Sequence, residues 1–144
     1  MTAAHVEALA AIERDCFADP WSATALAEEL DNDAAAFFVA VEGGTVLGYG
    51  GLLVTPFDAF VTNVAVAPEA RRRGVARAIL AAFEQHCRTH GLDSISLEVR
   101  VSNAPAIALY EGAGYVREGV RPHFYRHPDE DAAIYTLRLP STPP

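Results

Sequence analysis

The 144-residue chain is 51% hydrophobic and 21% charged, a balance that predicts one folded domain with its own core and leaves no room for a second. No apolar run nears the roughly 20 residues of a bilayer span, and residues 1–11 lack the basic start of a secretory signal, so a cytoplasmic protein with no membrane partner is expected. A net charge of −8 argues against direct nucleic-acid binding.

Apolar positions at Val6, Leu9, Ile12 and Cys16 have helical spacing and predict a first helix over Ala4–Phe17. Asp19-Pro20 breaks it, and Ser22 caps a second helix over Ala23–Leu30. Ala36–Val41 reads as a strand. Glu42-Gly43-Gly44 reads as a hairpin turn and Thr45–Val54 as the return strand. Phe60–Val66 is a third strand, closed by Ala67-Pro68. A long helix starts near Arg73, its apolar face carrying Val75, Ile79, Leu80, Phe83 and Cys87, with Gly91 as its C-terminal cap. Ser94–Val99 is a strand, and Ser102 or Asn103 caps a short helix that tolerates Pro105 in its first turn. Two strands follow, from Tyr115 to Val120 or beyond and over Ala133–Leu139. The order α-α-β-β-β-α-β-α-β-β predicts an α/β fold with a mixed sheet and helices on both faces. The domain is expected over residues 1–139, with a loose tail at 140–144.

Charge is unevenly spread. Residues 1–60 hold ten acids and one base, Arg14, whereas residues 61–144 hold nine acids and ten bases, all arginine. Four arginines, Arg71, Arg72, Arg73 and Arg77, surround Gly74 where a strand turns into the long helix. The first N–H groups of a helix have no partners within it and sit at the positive end of its dipole, which suits a pyrophosphate. Gly74 admits an anion close to the backbone, Ala76 keeps that surface small, and the arginines add charge. The alternative is a solvated basic face, but three unpaired cations at a helix start oppose the dipole. The pattern is neither G-x-x-x-x-G-K-[ST] nor G-x-G-x-x-G.

Arg71-x-x-Gly74-x-Ala76 resembles the Q/R-x-x-G-x-G/A signature of the GNAT N-acetyltransferases, and Asn103 to Gly114-Tyr115 resembles their N-x-x-A-x-x-L-Y-x-x-x-G-F/Y block. The resemblance implies a GNAT fold, with a mostly antiparallel central sheet, and acetyl-CoA as co-substrate. Arg71, Arg72, Arg73, Gly74, Val75, Ala76 and Arg77 would hold its pyrophosphate. Val64, Ala65 and Val66 would pair with its pantetheine arm, the Val64 N–H would polarise the thioester carbonyl, and Asn103 would touch the cofactor or only cap its helix. Leu97-Glu98-Val99-Arg100-Val101-Ser102-Asn103 and Pro20-Trp21-Ser22 are similar to the RimI-type branch, which acetylates the N-terminal alanine of a ribosomal protein. One departure stands out: the family opens with a strand before its first helix, and here either the sheet lacks that strand or the given start lies downstream of it. An open sheet edge would follow, and a monomer or weak dimer is expected.

The chemistry needs a base for the amine and an acid for the leaving thiolate. An α-amine near pKa 8 needs only a modest base, unlike lysine near 10.4. The resemblance assigns Glu98 as base, acting through a water, although alternation alone allows an outward strand carboxylate. It assigns Tyr110 as acid, although pattern alone reads Tyr110 as a core aromatic beside Ile107. Trp21 either walls the acceptor site or anchors the core, and Tyr125, with His123 and His127, is expected near the acceptor mouth. These histidines do not complete a metal set, so no metal is expected. Cys16 and Cys87 lack metal or redox spacing and are expected as buried or half-buried thiols. Glu7, Glu13, Asp15, Asp19, Glu28, Glu29, Asp31 and Asp33 read mainly as a solvated helical surface, with attraction of a basic peptide tail as the functional alternative. Two other readings stay open: an acetyltransferase for lysine side chains, other N-termini or small amines, and a non-catalytic acyl-CoA-binding module.

Overall fold

The computed structural model describes residues 1–140; the expected tail from residue 141 onward lies outside the described residues. A single 3-10 turn, Ala3–His5, leads into α1 (Val6–Cys16), followed by α2 (Ala23–Glu28), β1 (Ala35–Glu42), β2 (Thr45–Val54), β3 (Asp58–Val66), α3 (Val75–Thr89), β4 (Ser94–Arg100), α4 (Ala104–Gly112), β5 (Val116–Tyr125) and β6 (Glu130–Arg138). Most differences from the sequence reading lie at ends. The second helix stops at Glu28 because Glu29–Asp31 tightens into a 3-10 turn. The long helix starts at Val75, two residues after the expected Arg73. Arg72 and Gly74 both take positive φ, 65° and 78°, so the chain is still turning there.

The six strands form one sheet in the order β1-β2-β3-β4-β6-β5. All neighbours are antiparallel except β3 and β4. β1 lies at one edge, and no described residue before it is in a strand. Successive residues of β2 show how the faces are used, because side chains alternate across a strand. Tyr49 meets α1 through Glu13 and is fully buried. Gly50 faces α3: a Cβ there would sit 2.5 Å from Ile79 Cγ2 and Phe83 Cζ, so only glycine lets the helix lie this close. Helices therefore cover both faces. α3 buries Val75, Ile79, Leu80, Phe83 and Cys87, and α1 buries Val6, Leu9, Ala10 and Ile12. Each large apolar side chain so placed contributes about 1.5–3 kcal/mol relative to an exposed one.

Local rules set the element ends. Ser22 Oγ accepts the Ala25 N–H at 3.1 Å, and Asn103 Oδ1 accepts the Ala106 N–H at 3.2 Å, each satisfying a donor that its helix cannot. α3 ends before Gly91 at φ 69°, where Leu92 N–H reaches back to Cys87 O at 3.0 Å.

One pairing matters most for function. β3 and β4 are in register only over Asp58↔Ser94, Ala59↔Ile95 and Phe60↔Ser96. That end is clamped by Ser94 Oγ donating to Asp58 Oδ1 at 2.8 Å and by Asp93 N–H donating to Phe57 O at 2.6 Å. Beyond it the strands part. β3 keeps its ladder to β2 and β4 keeps its ladder to β6, but the facing edges no longer meet. Thr62 is the extra residue of a bulge against β2, since Gly51 pairs with Asn63 and Leu52 with Val61. A bulge bends its strand, here at the place where β3 leaves β4.

Candidate active site

A cleft of about 620 Å³ fills the opening between the two strands. Val61–Val64 form one wall and Leu97–Arg100 the other. α4 and its N-cap contribute Asn103, Ala106 and Tyr110, α1 contributes Glu13 and Cys16, the loop after it contributes Phe17, Asp19 and Trp21, and the β5–β6 hairpin contributes Phe124 to Pro128. Of the residues singled out from sequence, Val64, Glu98, Asn103, Tyr110, Trp21 and Tyr125 all line this one cleft. His127 lines it as well. His123 lies on β5 outside the lining, exposed, with Nδ1 2.8 Å from Asp129 Oδ2.

Glu98 pairs with Ile134 in the β4–β6 ladder. Its Oε1 lies 3.6 Å from Arg121 Nε, a charged neighbour that no pattern in the chain foretells. Tyr110 sits half-buried on α4, its ring 5.9 Å from that of Tyr115. Burial pushes its phenol up to about 12, so it holds its proton throughout the physiological range. Tyr125 is likewise pushed up to about 12, first by burial and then by the negative charge of Glu98.

The hairpin wall is held by Arg100. Its guanidinium donates to Pro128 O at 2.9 Å, Arg126 O at 3.1 Å and Glu130 Oε1 at 3.2 Å, and it stacks 4.4 Å above the Tyr125 ring. One planar fork thus fixes three hairpin positions and the ring that faces the cleft.

The opposite wall rests on Glu13, which corrects its reading as helical surface. Only 1% of Glu13 is exposed. Tyr49 OH donates to Oε1, Asn63 Nδ2 donates to the same oxygen at 3.2 Å, and Trp21 N–H donates to Oε2 at 3.3 Å. Asn63 Nδ2 also reaches Tyr49 OH at 2.8 Å, and Thr62 Oγ1 donates to Asn63 Oδ1 at 2.6 Å. A carboxylate can be buried in this way only when such donors replace water. Burial and the bond to Glu13 both raise the Tyr49 pKa. Trp21 itself is half-buried, lines the cleft and packs 6.2 Å from Phe37, so it serves as both wall and anchor.

The basic segment lies beside the cleft, where β3 ends and α3 begins. Gly74 is the N-cap of α3 with a left-handed backbone and no side-chain cap. A Cβ at Gly74 would meet nothing within 4 Å, so the backbone there faces open space. Arg73 is not free: its Nη2 lies 2.7 Å from Glu42 Oε1 on β1. Arg71 Nη2 reaches Cys16 Sγ at 3.5 Å. Among the described residues, Arg71, Arg72 and Arg77 have no carboxylate within ion-pair distance. A helix start with open backbone and unneutralised arginines fits a pyrophosphate, and the parted strands leave an edge for an extended arm. Cys16 is half-buried and Cys87 fully buried, as expected.

The profile of the acetyltransferase (GNAT) family matches residues 6–115. The chain belongs to the GNAT family. This GNAT chain is 33% identical over 150 residues to the N-alpha-acetyltransferase RimI of Mycobacterium tuberculosis, covering 100% of the chain and 92% of that relative. It is 34% identical over 130 residues to the ribosomal protein bS18-alanine N-acetyltransferase of Escherichia coli, covering 89% of the chain and 87% of the relative. The crystal structure of the ribosomal-protein-S18-alanine N-acetyltransferase from E. coli superposes with a TM-score of 0.88 at 31% identity, covering 96% of this chain and 90% of that one. The GNAT fold expected from sequence is therefore present, and the protein is an acetyl-CoA-dependent N-acetyltransferase.

Proposed function

We propose that this GNAT enzyme acetylates the N-terminal alanine of a ribosomal protein in the cytoplasm, with Glu98 as base and Tyr110 as acid. The observation that carries the reading is that both side chains line the cleft formed where β3 and β4 part. The whole-chain similarity to bS18-alanine acetyltransferases supports the choice of acceptor.

Acetyl-CoA supplies an activated acyl carbon and a thiolate leaving group. Gly74, Val75 and Ala76, with Arg71, Arg72 and Arg77, hold its pyrophosphate, and Val64 to Val66 bind its extended arm. Arg73 contributes less, because Glu42 already neutralises it. The acceptor arrives as an ammonium ion. Glu98 takes one proton from it through a water and the free amine forms the N–C bond; as the C–S bond breaks, Tyr110 gives its proton to sulfur, and the second proton leaving the nitrogen restores the phenol through water. The phenol, raised to about 12 by burial, carries its proton at neutral pH; being a weaker acid than a thiol of pKa about 8.5, it delivers that proton only in step with the loss of the second proton from nitrogen. Trp21 and Tyr125 form the two sides of the acceptor mouth, and Asp19 adds negative charge for a basic tail.

The test is a pair of peptides offered with acetyl-CoA: one starting Ala-Arg with a free amine, the other N-terminally blocked with an internal lysine. CoA release with the first alone is expected. Release with the blocked peptide alone would replace this reading with lysine acetylation.

A further inference from the structure

The loop joining α1 to α2 carries Phe17, Ala18, Asp19 and Trp21 into the cleft. Among the described residues its backbone makes two hydrogen bonds before Ser22, and both end on one residue. Phe17 N–H donates to the Glu13 carbonyl at 3.0 Å, and Trp21 N–H donates to the Glu13 carboxylate at 3.3 Å. The other carboxylate oxygen is held by Tyr49 on β2 and by Asn63, the residue between the Thr62 bulge and Val64. We infer that Glu13 is a positioning residue, which sets the distance between the acceptor-side loop and the strand that carries the thioester. This deepens the proposed function and rests on it for the identity of the acceptor.

The physical case is one of rigidity and of cost. Glu13 borders the cleft, but it is 1% exposed and both carboxylate oxygens are taken up by Trp21, Tyr49 and Asn63. It is also an expensive group to bury, and an apolar residue at this core-facing helix position would be cheaper for stability alone. What the carboxylate adds is direction: two acceptor oxygens aimed at two different elements, the α1–α2 loop on one side and β2–β3 on the other. A loop set differently against β3 changes how the acceptor is held, and none of the hydrogen bonds of the Glu13 side chain reaches the Arg71–Arg77 segment.

The chain has one tryptophan, Trp21, beside five tyrosines, so fluorescence excited at the red edge, beyond tyrosine absorption, reports on this loop alone. The experiment compares wild type, Glu13→Gln and the double variant E13Q/N63D, each checked for a cooperative thermal transition. The single substitution can turn an amide donor toward the Asn63 amide, and adding Asn63→Asp restores a donor–acceptor pair with the charge moved across the contact. For E13Q the expected result is roughly a doubling of the acrylamide quenching constant of Trp21 and about a fivefold rise in KM for the Ala-Arg peptide. The kcat should stay within about threefold and the acetyl-CoA Kd within about twofold. The double variant should recover most of both losses. If E13Q does not fold, Tyr49→Phe removes one donor to Glu13 and is read by the same measurements. Unchanged Trp21 quenching in a folded variant overturns the inference, as does a loss of acetyl-CoA binding in step with activity. If wild type acetylates no peptide, the proposed acceptor falls, while the quenching result still decides the role of Glu13.

Discussion

Glu98 and Arg121 face each other across neighbouring ladders, Oε1 to Nε at 3.6 Å, with the arginine side chain 59% exposed and the glutamate 30% exposed. An ion pair this wet contributes little to folding, about 0–1 kcal/mol. Arg121→Gln should therefore leave the melting temperature within a few degrees of wild type. Glu98→Gln should also fold normally but lower kcat by roughly 10²–10⁴ with acetyl-CoA affinity unchanged. Stopped assays of CoA release beside calorimetric binding separate the two quantities. A Glu98→Gln enzyme with full kcat would remove Glu98 as the base.

Tyr110 gives a second test, with a sign in pH. Burial raises its pKa from 10.0 to about 12, so folding favours the protonated form. The associated stability is fully present below about pH 10 and is lost as pH rises from there through about 12. Thermal melts of wild type should weaken over that window, and those of Tyr110→Phe should weaken less. The same substitution should lower kcat by about 10²-fold or more with little change in acetyl-CoA Kd. An unchanged kcat would leave Tyr110 as a core aromatic only.

The arginines around Gly74 should not behave alike. Arg71→Ala and Arg77→Ala remove cations that have no carboxylate partner among the described residues, and each should raise acetyl-CoA Kd by about tenfold. Arg73→Ala removes one already paired with Glu42 and should cost less than about threefold. Titration calorimetry at two salt concentrations would show it, with the Arg71 and Arg77 effects shrinking at the higher salt.

Gly50→Ala tests the close approach of α3 to the sheet. Its methyl would lie 2.5 Å from both Ile79 and Phe83, so the helix must shift or the side chains must leave their rotamers. A loss of about 1–3 kcal/mol is expected in urea unfolding, with the slope unchanged.

Much of this architecture can be read from the chain because its signals are local. Alternation, caps and turn residues place each element to within a few positions, and the spacing of Arg71 to Ala76 raised the expectation of an anion there. The proposed roles of Glu98 and Tyr110 rest on the family resemblance, since alternation leaves Glu98 an ordinary outward carboxylate and helical spacing leaves Tyr110 in a core. Glu13, Arg100 and Arg121 received no role from the resemblance. Their partners lie 36 and 50 residues away for Glu13 and 28 to 30 for the Arg100 bonds to Pro128 and Glu130. Helical spacing does set Glu13 on the apolar face with Val6, Leu9 and Cys16, a signal that the sequence reading passed over. What distinguishes Glu13 further is which donors the sheet brings underneath, and that is a property of the fold.

The parting of β3 from β4 after Phe60 also has a thermodynamic side. A sheet that forgoes several ladder bonds gives up part of its own cohesion, and whatever lies in the gap returns it. If the reagent is what completes those rungs, then its binding free energy is shared with folding, and the enzyme is most resistant to heat and proteolysis when its reagent is abundant. The metabolic supply of acetyl groups would then set the lifetime of the catalyst as well as its turnover.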